Sequence, residues 1–116
     1  MKLKFIVIIL LIIVSPFTRA QDTVGIMQTF CELQDGNSMK TYCYSYISGV
    51  IDVQSSFGLT HKSETIYTCF PEGVTARQGA AIFVKWAKEN PEQHHKLAHF
   101  GVIESLRSVF PCGLKN

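Results

Sequence analysis

Four cysteines, Cys31, Cys43, Cys69 and Cys112, constrain this chain more than any other feature. The last stands four residues from the end, directly after Pro111, in the stretch SVFPCGLKN. Chain ends fray unless they are tied down, so a cysteine in that position has a structural job only if it is paired. An even cysteine count in a small exported chain reads as a disulfide framework. The competing reading, a metal site, needs close spacing such as C-x-x-C, which is absent here.

Export is indicated by the opening residues. Lys2 and Lys4 precede an apolar run from Phe5 to Val14, followed by SPFTRA with Thr18 and Ala20 at the minus-three and minus-one positions of a cleavage site. A bilayer span needs roughly 20 apolar residues, so residues 1–20 read as a cleaved secretory signal peptide rather than an anchor, and 21–116 as one domain. Cleavage would remove Lys2, Lys4 and Arg19 but no acid, leaving eight Lys and Arg against nine Asp and Glu. The basic character of the whole chain therefore belongs to the leader. No basic stripe for nucleic acid remains, and no membrane association is expected after cleavage.

The mature part carries helical spacing in four places. Ile26, Met27, Phe30 and Leu33 share a face over about 24–34, with Thr23 as cap candidate. After the turn residues 35–38, a second helix over about 39–57 has a broad stripe of Met39, Tyr42, Cys43, Tyr46, Gly49, Val50, Val53 and Phe57, widened by Ile47 and Ile51. Gly49 costs about 1 kcal/mol relative to alanine in a helix interior, which predicts close approach of a neighbouring helix. Residues 58–73 read as a long loop. Thr75 and Gln78 form a capping-box pair before an apolar third helix, in which Phe83 and Trp86 are expected to supply much of the core. Asn90 and Pro91 predict the start of a fourth helix, running to about Val109 with Ala98, Val102, Leu106 and Val109 inward, until Pro111 ends it. The expected fold is all-α: a small, disulfide-stapled four-helix domain of up-and-down type.

In that arrangement Cys31 and Cys43 lie at one end and Cys69 and Cys112 at the other. The 14 residues from Cys43 to Phe57 span about 21 Å of helix, while a disulfide needs Cα atoms within about 7 Å. Cys31–Cys43 with Cys69–Cys112 is the preferred pairing. The long loop leaves Cys43–Cys69 with Cys31–Cys112 open as the alternative.

Three segments, CYSYISGVIDV, CFPEGVTARQGAAIFVKWAKENPEQ and LAHFGVIESLRSVFPC, together resemble the Rap/Tai immunity family over roughly residues 28–112. Its members are small exported helical proteins that neutralise peptidoglycan amidases delivered by type VI secretion. The resemblance implies a periplasmic inhibitor rather than an enzyme, blocking the Cys-His site of a peptidoglycan amidase effector, often as a homodimer. It does not carry over the contact residues, because the matched segments are fold motifs.

The residues themselves nominate a contact surface. The stretch 54–68 mixes aromatic and charged groups as interface hot spots do, and Phe57, Leu59, His61, Lys62, Glu64 and Tyr67 are the candidates. The plainer account is a connector with Phe57 and Tyr67 folded into the core. Among Tyr42, Tyr44 and Tyr46 at least one must face outward, which suggests a dimer contact. His94, His95 and His99 read as a solvated helix face. No metal site, cofactor or catalytic residue is expected, since paired cysteines leave no thiolate nucleophile. A helical binding or chaperone-like module for a peptide or small apolar ligand, lined around Gly49, Gly79 and Gly101, is the alternative function.

Overall fold

A computed structural model describes Lys2 and residues 21–113; the signal-peptide reading of 1–20 lies outside the described residues apart from Lys2. Among the described residues the domain has four helices: α1 (Val24–Glu32), α2 (Ser38–Thr60), α3 (Ala76–Glu89) and α4 (Ala98–Val109), with a 3-10 turn at Pro91–Gln93. Only two isolated bridges, Thr23 with Leu97 and Thr68 with Pro111, add extended pairing among the described residues. The fold is all-α, as the spacing predicts.

Three helix starts are closed by side chains, as orphan N–H groups at helix ends require. The Thr23 hydroxyl accepts from Ile26 N, Asn37 Oδ1 from Met39 N, and the Thr75 hydroxyl from Gln78 N at 3.1 Å. The fourth start is a correction. Asn90 and Pro91 do not open α4: Asn90 closes α3, donating from its side chain to Trp86 O at 2.8 Å, and Pro91 begins the 3-10 turn. The reason lies in the carbonyls of His94 and Lys96, which a continuous helix would spend four residues onward. Here they accept from Gly25 N and Val24 N at the start of α1, at 3.1 and 2.8 Å. Ala98 N donates instead to Asp22 O at 2.9 Å. The first turns of α1 and α4 thus close each other, and α4 has no side-chain cap. His95 and His99 consequently do not share a helix face.

Helix α3 is central and packs against α1, α2 and α4. Phe83 is fully buried with Val24, Met27, Ile47, Val102 and Leu106 around it, while Trp86 is only partly buried against this core. Close helix approach occurs at two glycines. A Cβ on Gly79 would lie 2.8 Å from Ile47 Cγ2, and one on Gly101 2.6 Å from Val24 Cγ2. These sites are filled, so they border no ligand space.

Helix α2 departs most from expectation. Its buried residues are Cys43, Ile47 and Gly58. Much of the broad stripe faces outward: Met39 and Tyr42 are each 41% exposed, Val53 56% and Phe57 45%. Among the described residues nothing lies within 4 Å of a Cβ built on Gly49, so none of the four helices compensates it. Two smaller corrections follow the same logic: Ile26 and Val109 are exposed, and α1 instead buries Val24, Met27 and Cys31.

Cys31 and Cys43 lie at disulfide distance, with Cα atoms 5.3 Å apart, and Cys69 and Cys112 likewise at 4.9 Å. One link joins the end of α1 to the first turns of α2, and the other joins the loop before α3 to the residues after α4.

Candidate functional site

The candidate contact residues divide into two groups. Phe57 and Leu59 belong to the last turn of α2, which runs to Thr60, rather than to a loop. His61 is the helix C-cap, its N–H donating to Phe57 O at 2.9 Å. Two tight turns follow, with Glu64 N donating to His61 O and Tyr67 N to Glu64 O, both at 3.1 Å. This path folds the chain back on the helix end, so Phe57, His61 and Tyr67 meet as a ring stack. The His61 and Tyr67 centroids are 4.4 Å apart, and those of Phe57 and Tyr67 5.9 Å. None of the three belongs to the buried core or to the hydrophobic residues packed on it. They form an aromatic tip, not a folded-in connector.

Leu59 and Lys62 stand apart from the stack and line a cavity with Phe70 and the Cys69–Cys112 link. Glu64 is exposed, without a salt bridge among the described residues. One exposed apolar residue escaped the reading of the sequence: Ile66, 61% exposed, beside Tyr67. An isolated isoleucine in a polar stretch gives no periodicity from which to place it.

The chain end holds this tip in place. Cys69 N donates to Phe110 O at 2.8 Å, Cys112 N to Tyr67 O at 3.1 Å and Gly113 N to Lys62 O at 2.8 Å. Arg107 donates to Ile66 O at 3.2 Å while pairing with Glu104. Gly58 permits the close fit, since any side chain there would run into the Thr68 carbonyl oxygen. Loops usually carry few tertiary backbone bonds; this one is bound along its length to residues 107–113, and the Cys69–Cys112 link lies in the middle of that seam.

A second surface runs along α2. Tyr46, Gly49, Val50 and Val53, with His99 and Ile103 of α4, line an open groove of about 460 Å³. Met39 and Tyr42 extend it at one end and Phe57 at the other. Tyr42 donates to Asp22 Oδ2, and that bond, first among the causes, raises its pKa above the ordinary tyrosine value. Burial is the main cause raising Tyr46.

All four cysteines are in the two links, and the described residues hold no group of three or more potential metal ligands. No described helix is long and apolar enough to cross a membrane. What the arrangement defines is a stapled helical domain with an aromatic cluster at the end of α2 and an apolar face along that helix. Residues 23–112 match the Rap1a immunity proteins, and the chain belongs to that family. It is therefore an immunity protein, whose partner is an effector protein. No curated protein and no solved structure matches the chain.

Proposed function

We propose that the protein is a periplasmic immunity protein that occludes the active-site groove of a type VI secretion peptidoglycan amidase. The observation that carries this reading is the Phe57–His61–Tyr67 stack. A partly exposed aromatic group fixed in one geometry offers large contact area at little ordering cost, the profile of an interface hot spot. Its position at the end of α2, the longest helix among the described residues, lets it protrude into a concave partner. Lys62 and Glu64 flank it and supply orientation.

Export supports the compartment. Two disulfides are stable outside the cytoplasm and not within it. The fold also begins immediately after the proposed cut behind Ala20: Ala98 N donates to Asp22 O and Val24 N to Lys96 O, on either side of the Thr23–Leu97 bridge.

The exposed face of α2 favours a homodimer as part of the same reading. An apolar row broken by an uncovered glycine lets the backbone of a second copy approach closely. The rival function, a carrier for a small apolar ligand, loses two of its three proposed pocket glycines to tight packing.

The test is inhibition. The oxidised protein is added to a purified amidase recovered by pull-down from a competing bacterium, and peptidoglycan hydrolysis is followed. Loss of activity near one equivalent supports occlusion; undiminished hydrolysis at excess sinks it.

A further inference from the structure

Beside the aromatic tip lies a cavity of about 410 Å³, between the end of α2 and the Cys69–Cys112 link. Its volume falls in the range of about 300–1,000 Å³ typical of ligand sites. Leu59 and Phe70 give it apolar walls, and Lys62 supplies a cation with no salt-bridge partner among the described residues. An apolar hollow beside one lone positive charge is complementary to an apolar group that carries an anion.

We propose that this cavity is an anchor site for an apolar side chain with an adjacent carboxylate, offered by the effector to the inhibitor. The effector as owner of that group rests on the immunity reading above; the chemistry of the cavity does not. Binding would then run both ways across one interface, with the tip entering the partner and a partner residue entering the cavity. Charge complementarity at Lys62 argues for this occupant over a purely apolar one.

The probe is N-acetyl-L-phenylalanine, compared with its uncharged amide, titrated into the purified oxidised protein and followed by amide NMR shifts. The proposal predicts millimolar binding, with shifts centred on Leu59, Lys62, Cys69 and Cys112. It predicts that the acid binds about threefold more tightly than the amide, as one exposed ion pair allows, and that Lys62→Gln removes the difference. Ser55 of α2 also lines the cavity, and Ser55→Trp fills it; it should abolish probe binding while leaving the thermal midpoint near that of wild type. If that variant unfolds, Lys62→Gln remains decisive. Absence of binding, shifts centred elsewhere, or equal affinity for acid and amide in the wild type would overturn the proposal. So would binding that begins only after removal of residues 114–116, since the chain's own end would then be the occupant. With an amidase in hand, equal affinity for wild type and Ser55→Trp rejects the effector as the source of the anchor and leaves the immunity reading intact. An amidase that binds neither form rejects the immunity reading.

Discussion

The His61 ring lies stacked on that of Tyr67, 26° from parallel. One residue caps α2 and the other donates nothing to the core, so the contact locks a helix end to a loop outside the hydrophobic interior. Tyr67 is tied in turn through its carbonyl to Cys112 N. The tip is thus tied to the chain end by backbone hydrogen bonds.

Removing the projection should separate binding from stability. Phe57→Ala and Tyr67→Ala each delete one ring of the stack, which lies outside the buried core. Amidase binding should weaken by about 2 kcal/mol per variant, read by calorimetry. Unfolding free energy should fall by less than about 1 kcal/mol, as for a surface substitution. Equal losses in both would mean that the rings serve the fold.

The two disulfides should not be equivalent for the tip. Replacing both Cys69 and Cys112 by serine should cost about 2–5 kcal/mol of stability. It should also speed hydrogen exchange at the amides of Cys69, Cys112 and Gly113, which donate to the tip loop and its seam. Replacing Cys31 and Cys43 removes a shorter loop at the other end and should leave those amides protected. Uniform exchange changes in both variants would contradict a local role for the Cys69–Cys112 link.

The glycines give opposite signs. Gly101→Ala places a methyl against Val24 and Trp86 and should destabilise by about 1–3 kcal/mol through overpacking. Gly49→Ala meets open space and should stabilise the monomer by about 1 kcal/mol through helix propensity. Chemical denaturation of both variants checks the pair.

If α2 is the dimer face, Val53→Arg should convert a dimer to a monomer in light scattering while the thermal midpoint of the monomer holds. Val53 is 56% exposed, so a fold effect is not expected. A mass unchanged by this substitution, with the wild type dimeric, would move the interface elsewhere.

Acid should remove one small contribution. The Glu32 carboxyl is held below its ordinary pKa, first by the hydrogen bond from Gln28 and then by Lys88. A lowered folded pKa stabilises above the unfolded value and is lost as pH falls through the folded one. The pair is exposed, so the effect stays below about 1 kcal/mol. Glu32→Gln should therefore lower the midpoint slightly at neutral pH and not at all in strong acid.

The parts of this fold that could be read in the sequence are those set by local chemistry. Thr23 and Thr75 mark helix starts because their hydroxyls act within three residues. The four helices are legible because apolar spacing is a local signal. What failed was tertiary. Asn90 and Pro91 carry a sound helix-start signature, yet α1 draws the carbonyls of His94 and Lys96 away from α4. The stripe on α2 is helical, but periodicity states that a face is apolar and not what covers it. The tip residues were named from composition alone. Their convergence depends on Gly58 and the Thr68–Pro111 bridge, which bring together segments more than 40 residues apart, and no local pattern encodes that.

The most direct measurement of occlusion is hydrolysis of peptidoglycan by a purified effector amidase, titrated with the oxidised wild-type protein and with the Phe57→Ala, Tyr67→Ala double variant. The account predicts activity falling to zero near one equivalent of wild type, and inhibition weaker by about tenfold or more for the variant. Amidase activity that persists at excess wild-type protein, or identical inhibition by the two, would contradict it.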